Sequence, residues 1–173
     1  MSGLTLIIQN ELYPLEIADK DILCLEKVYS NDKVCASSLV YIQGYSNSNI
    51  SDTVKVRIQF DWRGHSEVIT EEIFLFIPET KTLFFRSGNQ WAVFNLLNKM
   101  TIQHEHAFCH PWLEQIGHFV LIEDELEAYL MTLDGQKINS VPIDPPWQRQ
   151  DFPDRIEYLS PVYGKQTLLF PLM

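Results

Sequence analysis

Residues 118–143 read HFVLIEDELEAYLMTLDGQKINSVPI, and three apolar runs divided by two polar turns fix how this stretch folds. Phe119 to Ile122, Leu126 to Leu133 and Lys137 to Ile143 are strand-length, while Glu123 to Glu125 and Asp134-Gly135 carry turn chemistry. The order strand, turn, strand, turn, strand is an antiparallel meander. The same order occurs about 36 residues upstream (83 to 119, 97 to 133, 102 to 138). There it runs through Thr82 to Arg86, a turn at Ser87 to Gln90, Trp91 to Leu97, a turn at Asn98-Lys99, and Met100 to His106. The alignment sets Leu83 against Phe119, Leu97 against Leu133 and Ile102 against Ile138. Trp91 to Met100 also admits a helical period, but Trp91, Val93 and the run Phe94 to Leu97 fit a strand, and strand is the reading taken.

Further out, Val54, Val56, Ile58, Phe60 and Trp62 alternate with Lys55, Arg57, Gln59 and Asp61, the period-two pattern of a strand with one buried face. The Gly64 region then leads to Glu67 to Ile77, so Asp52 to Ile77 reads as a long hairpin whose second strand turns continuously apolar at Ile73 to Ile77. Leu4 to Gln9, Ile22 to Tyr29 and Val34 to Gln43 supply earlier strands, before a polar loop at Ser46 to Asn49. Pro142 to Pro161 holds five of the nine prolines and reads as an irregular surface arm, with a final strand at Gln166 to Phe170 that docks on the body, completing the first sheet. The expected fold is therefore mainly β: antiparallel meanders in a partial β-propeller-like or two-sheet sandwich arrangement. One domain spans 1–173, with a long-hairpin half at 1–77, two meander units at 78–143 and the proline-rich arm with its strand at 144–173.

Apolar residues make up 46% of the 173-residue chain and aromatics 12%, enough to fill one core. The formal charge of −10, from 23 acidic and 13 basic residues, repels nucleic-acid phosphates and anionic lipid while favouring basic partners. Cys24, Cys35 and Cys109 form an odd set without CxxC spacing, so reduced thiols in a reducing compartment are expected rather than a disulfide framework. Met1 to Gln9 lacks a basic leader and a cleavage site, and no run reaches membrane-spanning length, so the expected location is the cytoplasm.

Candidate chemistry is sparse. His104, His106, Cys109 and His110, with His118 nearby, form the densest set of metal donors, and strand alternation puts His104 and His106 on one face with Glu105 opposite. The His-x-His pair is similar to the start of the cupin metal motif, but Asn98 stands where that motif has glycine. No nucleophile elbow, dinucleotide loop or Walker-type run occurs, and Glu71-Glu72 and Glu123-Asp124-Glu125 read as solvated turns. No cofactor is expected. Trp62, Trp91 and Trp112 read as core or sheet-edge residues, whereas Trp147, in Asp144-Pro145-Pro146-Trp147-Gln148-Arg149, reads as a contact anchor.

The small, acidic, motif-poor β-character of the whole chain resembles the immunity proteins of bacterial contact-dependent growth inhibition and related polymorphic toxin systems. The resemblance implies a non-catalytic binder that occludes the active site of a basic toxin domain, often a nuclease. On this reading Glu123, Asp124, Glu125, Glu127, Asp134, Asp151 and Asp154 supply the charge that meets the partner, and Trp147 and Tyr158 are the desolvated anchors. Two other readings stand beside it: a metal-binding β-protein centred on His104 to His110, and a structural subunit lending a sheet edge to an assembly.

Overall fold

The computed structural model describes residues 4–11, 22–26, 34–44, 55–63, 69–87, 90–107 and 111–171. They form four β-sheets. The first contains β1 (Leu4–Glu11), β2 (Ile22–Glu26), β3 (Val34–Gly44) and β4 (Lys55–Arg63), in the order β1-β3-β4-β2 with β2 parallel to β4. A 3₁₀ turn at Glu71–Ile73 leads into the second sheet, a meander of β5 (Phe74–Ile77), β6 (Thr82–Ser87), β7 (Gln90–Asn95) and β8 (Met100–His106). The third is another four-stranded meander, β9 (Trp112–Ile116), β10 (Phe119–Glu123), β11 (Glu127–Thr132) and β12 (Lys137–Pro142). The fourth has three strands, β13 (Gln148–Phe152), β14 (Arg155–Ser160) and β15 (Gly164–Leu169).

Consecutive sheets stack face to face, and each interface has its own core. Val40, Ile42 and Ile58 of the first sheet meet Leu83, Phe85, Ala92 and Phe94 of the second. From the opposite face of that second sheet, Phe84, Trp91 and Val93 meet Val120, Ile122, Tyr129 and Met131 of the third. Leu121, Ala128 and Leu130 then turn from the third sheet to Ile156, Tyr158 and Leu168 of the fourth. The middle sheets are thus covered on both faces, which is why Leu83-Phe84-Phe85 and Val120-Leu121-Ile122 are continuously apolar instead of alternating. Burying each such side chain stabilises the fold by about 1.5–3 kcal/mol. The architecture is mainly antiparallel β and blade-like, a serial stack of four sheets, the second to fourth of them meanders, in place of a two-sheet sandwich.

Strands β6–β8 and β10–β12 are equivalent, as the internal repeat predicts, but the offset that preserves facing is 37 through most of the unit. Leu83 and Val120 both point to the preceding sheet (83 to 120), as do Phe94 and Met131 (94 to 131). Phe119, the expected counterpart of Leu83, instead packs toward the fourth sheet. Ladder irregularities at Val93/Phe94 and at Leu130/Met131 keep the same offset. The following turn is one residue shorter relative to it, so Lys99 and Gly135, both at positive φ, are 36 apart.

Three expectations are corrected. Phe74–Ile77 is not the hairpin partner of β4: it opens the second sheet against β6, while β4 lies between β3 and β2. Its alternate residues are used on both sides, Phe74 and Phe76 toward the first core and Leu75 and Ile77 toward the second. Residues 142–161 are not an irregular arm, because β13 and β14 form a hairpin there. The final strand completes this fourth sheet, not the first. The Ser46 to Asn49 loop, the Gly64 region and Tyr29 lie outside the described residues.

Gly135 joins the second and third sheets at close quarters. A Cβ on it would lie 2.5 Å from Val93 Cγ1 and 3.3 Å from Ile102 Cδ1, and its φ is +90°. Beside it Thr80 Oγ1 donates to the Leu133 carbonyl at 2.7 Å. Valine at 93 is stiff and fully buried, so it gives way poorly. Gly135→Ala is expected to destabilise the protein by about 2 kcal/mol through backbone strain and overpacking, measured by chemical denaturation.

Candidate functional site

A groove of about 720 Å³ lies between the third and fourth sheets, lined by Trp112, Glu123, Asp124, Glu125, Pro145, Pro146, Trp147 and Arg149. Three strands, β9, β10 and β13, and two connections build it. Trp112 begins β9, with 52% of its surface exposed, and Arg86 stacks over its ring at 4.9 Å while donating to the Pro111 carbonyl. Across the groove, the Pro145-Pro146 segment carries Trp147 into β13; the indole meets Tyr158 edge-on at a centroid distance of 5.8 Å.

Arg149 organises the floor. Its Nη1 donates to Glu114 Oε2 at 2.9 Å and to Glu123 Oε2 at 3.2 Å, and its Nε and Nη2 donate to the two Asp151 oxygens at 2.7 and 3.1 Å. Burial works against the guanidinium charge, but Asp151, Glu123 and Glu114 outweigh it and hold Arg149 firmly protonated. Glu123, only 5% exposed, also accepts the Tyr158 hydroxyl at 2.7 Å. Burial, then the Glu123 charge, pushes the Tyr158 phenol well above its ordinary value.

The acidic turn is likewise built inward. Asp124 Oδ1 accepts the backbone N–H groups of Leu126 and Glu127, both at 2.7 Å, and the Asp124 N–H donates to the Glu127 carbonyl at 2.9 Å. The carboxylate takes the place of a backbone partner in closing the turn. Burial raises the Asp124 pKa, partly offset by those N–H donors. The solvated turn expected at Glu123 to Glu125 is therefore corrected: Glu123 and Asp124 are 5% and 6% exposed, because each has fixed partners for its oxygens.

Of the nine residues expected to meet a partner, Glu123, Asp124, Glu125 and Trp147 line the groove, and Asp151 joins them through Arg149. Tyr158 is fully buried in the core beneath, so its role as a surface anchor is corrected to that of a support for Glu123 and Trp147. Glu127, Asp134 and Asp154 are not part of the lining. Glu127 accepts from Tyr129 and faces Lys137 at 3.6 Å, Asp134 accepts the Thr132 hydroxyl in its turn, and Asp154 pairs with Arg155 at 2.9 Å. Trp112, Glu114 and Arg149 complete the site. Their strand positions were readable, but their convergence depends on sheet stacking across 35 residues (114 to 149).

His104 and His106 share a face of β8, with ring centroids 5.4 Å apart, and His104 Nε2 lies 2.9 Å from Gln90 Oε1. Burial first, then His106, lowers the His104 pKa, and Glu105 opposes this. Among the described residues no group of three His, Cys, Asp or Glu is placed to hold a metal ion. Cys109 and His110 lie outside those residues.

Geometry thus defines a class, a serial stack of four mainly antiparallel sheets bearing an aromatic and acidic groove. No protein-family model matches the chain, and no curated protein matches it. Among solved structures it is similar to BamB from Moraxella catarrhalis, at 13% identity and a TM-score of 0.38 over 78% of this chain and 40% of that one. It is also similar to Hsv2 from Kluyvelomyces marxianus, at 9% identity and a TM-score of 0.36 over 73% of this chain and 41% of that one. The chain spans about two fifths of each of those β-propeller chains. Among the described residues no helix is long and apolar enough to cross a membrane.

Proposed function

We propose that this chain is a non-catalytic binding protein of the cytoplasm whose acidic groove receives a basic segment of a protein partner. The single observation that carries the reading is the groove's composition. Glu114, Glu123, Asp124, Glu125 and Asp151 gather around Arg149 and the nearby Arg86, so carboxylates outnumber guanidiniums, and two indoles and two prolines supply apolar walls. Lysine and arginine side chains suit such a site, their stems on the rings and their heads at the carboxylates. Acid–base chemistry has little to work with here, since Glu123 and Asp124 are already engaged by Tyr158, Arg149 and backbone N–H groups.

The partner this reading favours is a basic toxin domain, with the chain acting as its immunity protein and the net charge of −10 steering the encounter. Binding there occludes the toxin's substrate-binding face. Co-purification with a toxin encoded beside the gene tests the pairing; an operon of metabolic enzymes and no basic protein retained on the chain would refute it. Raising salt from about 0.05 to 0.5 M is expected to slow association much more than it speeds dissociation, as read by rapid-mixing fluorescence. Equal changes in the two rates would count against steering.

A further inference from the structure

The geometry points to a specific binding mode: the partner's basic segment adds as a β-strand to the free edge of β13, supplying a fourth strand to the fourth sheet. This rests on the reading of the groove as a site for a basic segment. The first three sheets each have four strands, whereas among the described residues the fourth has three, in the order β13-β14-β15. Among the described residues one edge of β13 thus has no strand beside it, and the groove adjoins that strand. Trp147 immediately precedes β13 and Arg149 is its second residue, and both line the groove.

Backbone geometry sets which groups the edge offers. Gln148 to Phe152 pair with Leu159 to Arg155 without a register shift, closing on the two-residue turn Pro153-Asp154. On the β15 side the Phe170 N–H donates to the Asp154 carbonyl, which turns the backbone groups of Arg155 toward β13, so alternation directs the N–H and C=O of Gln148, Gln150 and Phe152 toward β14 and those of Arg149 and Asp151 outward. Two donors and two acceptors stand beside the groove, the template for an extended chain. Side-chain alternation in the incoming strand would send every second residue toward Glu114, Glu123 and Asp151, where lysine or arginine matches the charge. Main-chain pairing supplies affinity and this alternation supplies selectivity.

The probe is the capped heptapeptide Lys-Val-Lys-Val-Lys-Val-Lys, compared with versions N-methylated at the lysine amides or at the valine amides. Strand addition predicts that one methylated series loses about tenfold or more in affinity, while the other stays within about twofold of the parent. On the protein side, Asp151→Pro removes an outward N–H yet leaves the β14 ladder intact, with Asp151→Asn controlling for the lost carboxylate. The proline variant is expected to weaken binding several-fold beyond the asparagine variant. If both methylated series bind like the parent while Trp147→Ala still abolishes binding, the groove site stands and strand addition is overturned. If the parent peptide does not bind, both fall. Should Asp151→Pro fail to fold, the two methylated series decide alone.

Discussion

Replacing Trp91 by alanine is expected to cost about 3–5 kcal/mol of unfolding free energy, read as a shift of the denaturation midpoint at unchanged slope. The indole is fully buried between the second and third sheets, 5.2 Å from the Tyr129 ring, in a cluster with Val120, Ile122 and Met131. Its N–H has no hydrogen-bond partner among the described residues, so the loss is one of packing. Trp112→Ala, by contrast, removes a ring already half in water and is expected to cost under about 1 kcal/mol. A loss at Trp91 no larger than that at Trp112 would mean that the two sheets do not stack as described.

Arg149→Met is the second large effect, with an expected loss of about 3 kcal/mol. The substitution keeps the aliphatic stem but leaves Glu123, buried beside Tyr158, without its counter-charge, and it frees Glu114 and Asp151 to repel each other. Glu123→Gln placed on top of Arg149→Met is expected to recover a large part of the loss, since a neutral amide still offers Tyr158 an acceptor. Additive losses in this double-mutant cycle would show that Glu123 and Arg149 are not coupled. Arg149→Met alone changes the groove's charge by one unit toward the acidic side, so any weakening of basic-peptide binding in that variant would come from loss of shape, not of attraction.

The fold was most legible where side-chain period and turn chemistry coincide. Phe119 to Ile143 shows both, and its strands lie where the pattern places them, at 119–123, 127–132 and 137–142. Period alone cannot reveal pairing between distant segments, which is why Phe74–Ile77, continuously apolar because both its faces are covered, reads as a partner of β4 although it pairs with β6. Proline count misled in residues 142–161. Pro142 ends β12, Pro145 and Pro146 form a connection, Pro153 sits in a turn and Pro161 follows β14, so the prolines punctuate strands without excluding them. The site was half legible. Its acidic residues and Trp147 could be named from charge and context, but Glu123 and Asp124 became buried through partners that the sequence does not place, Tyr158 and Arg149 for the first and the turn N–H groups for the second. Tyr158 had the composition of an interface residue and the alternation of a core one, and burial against the third sheet settled which applied.

NMR titration of the full chain with the lysine–valine heptapeptide tests most directly whether the surface between the third and fourth sheets receives a basic segment. The indole N–H signals of Trp112 and Trp147 are expected to move together with saturation, together with the Arg149 guanidinium signal, while the buried Trp91 signal stays still. Saturable shifts confined to other faces, or none at millimolar peptide, would contradict the account.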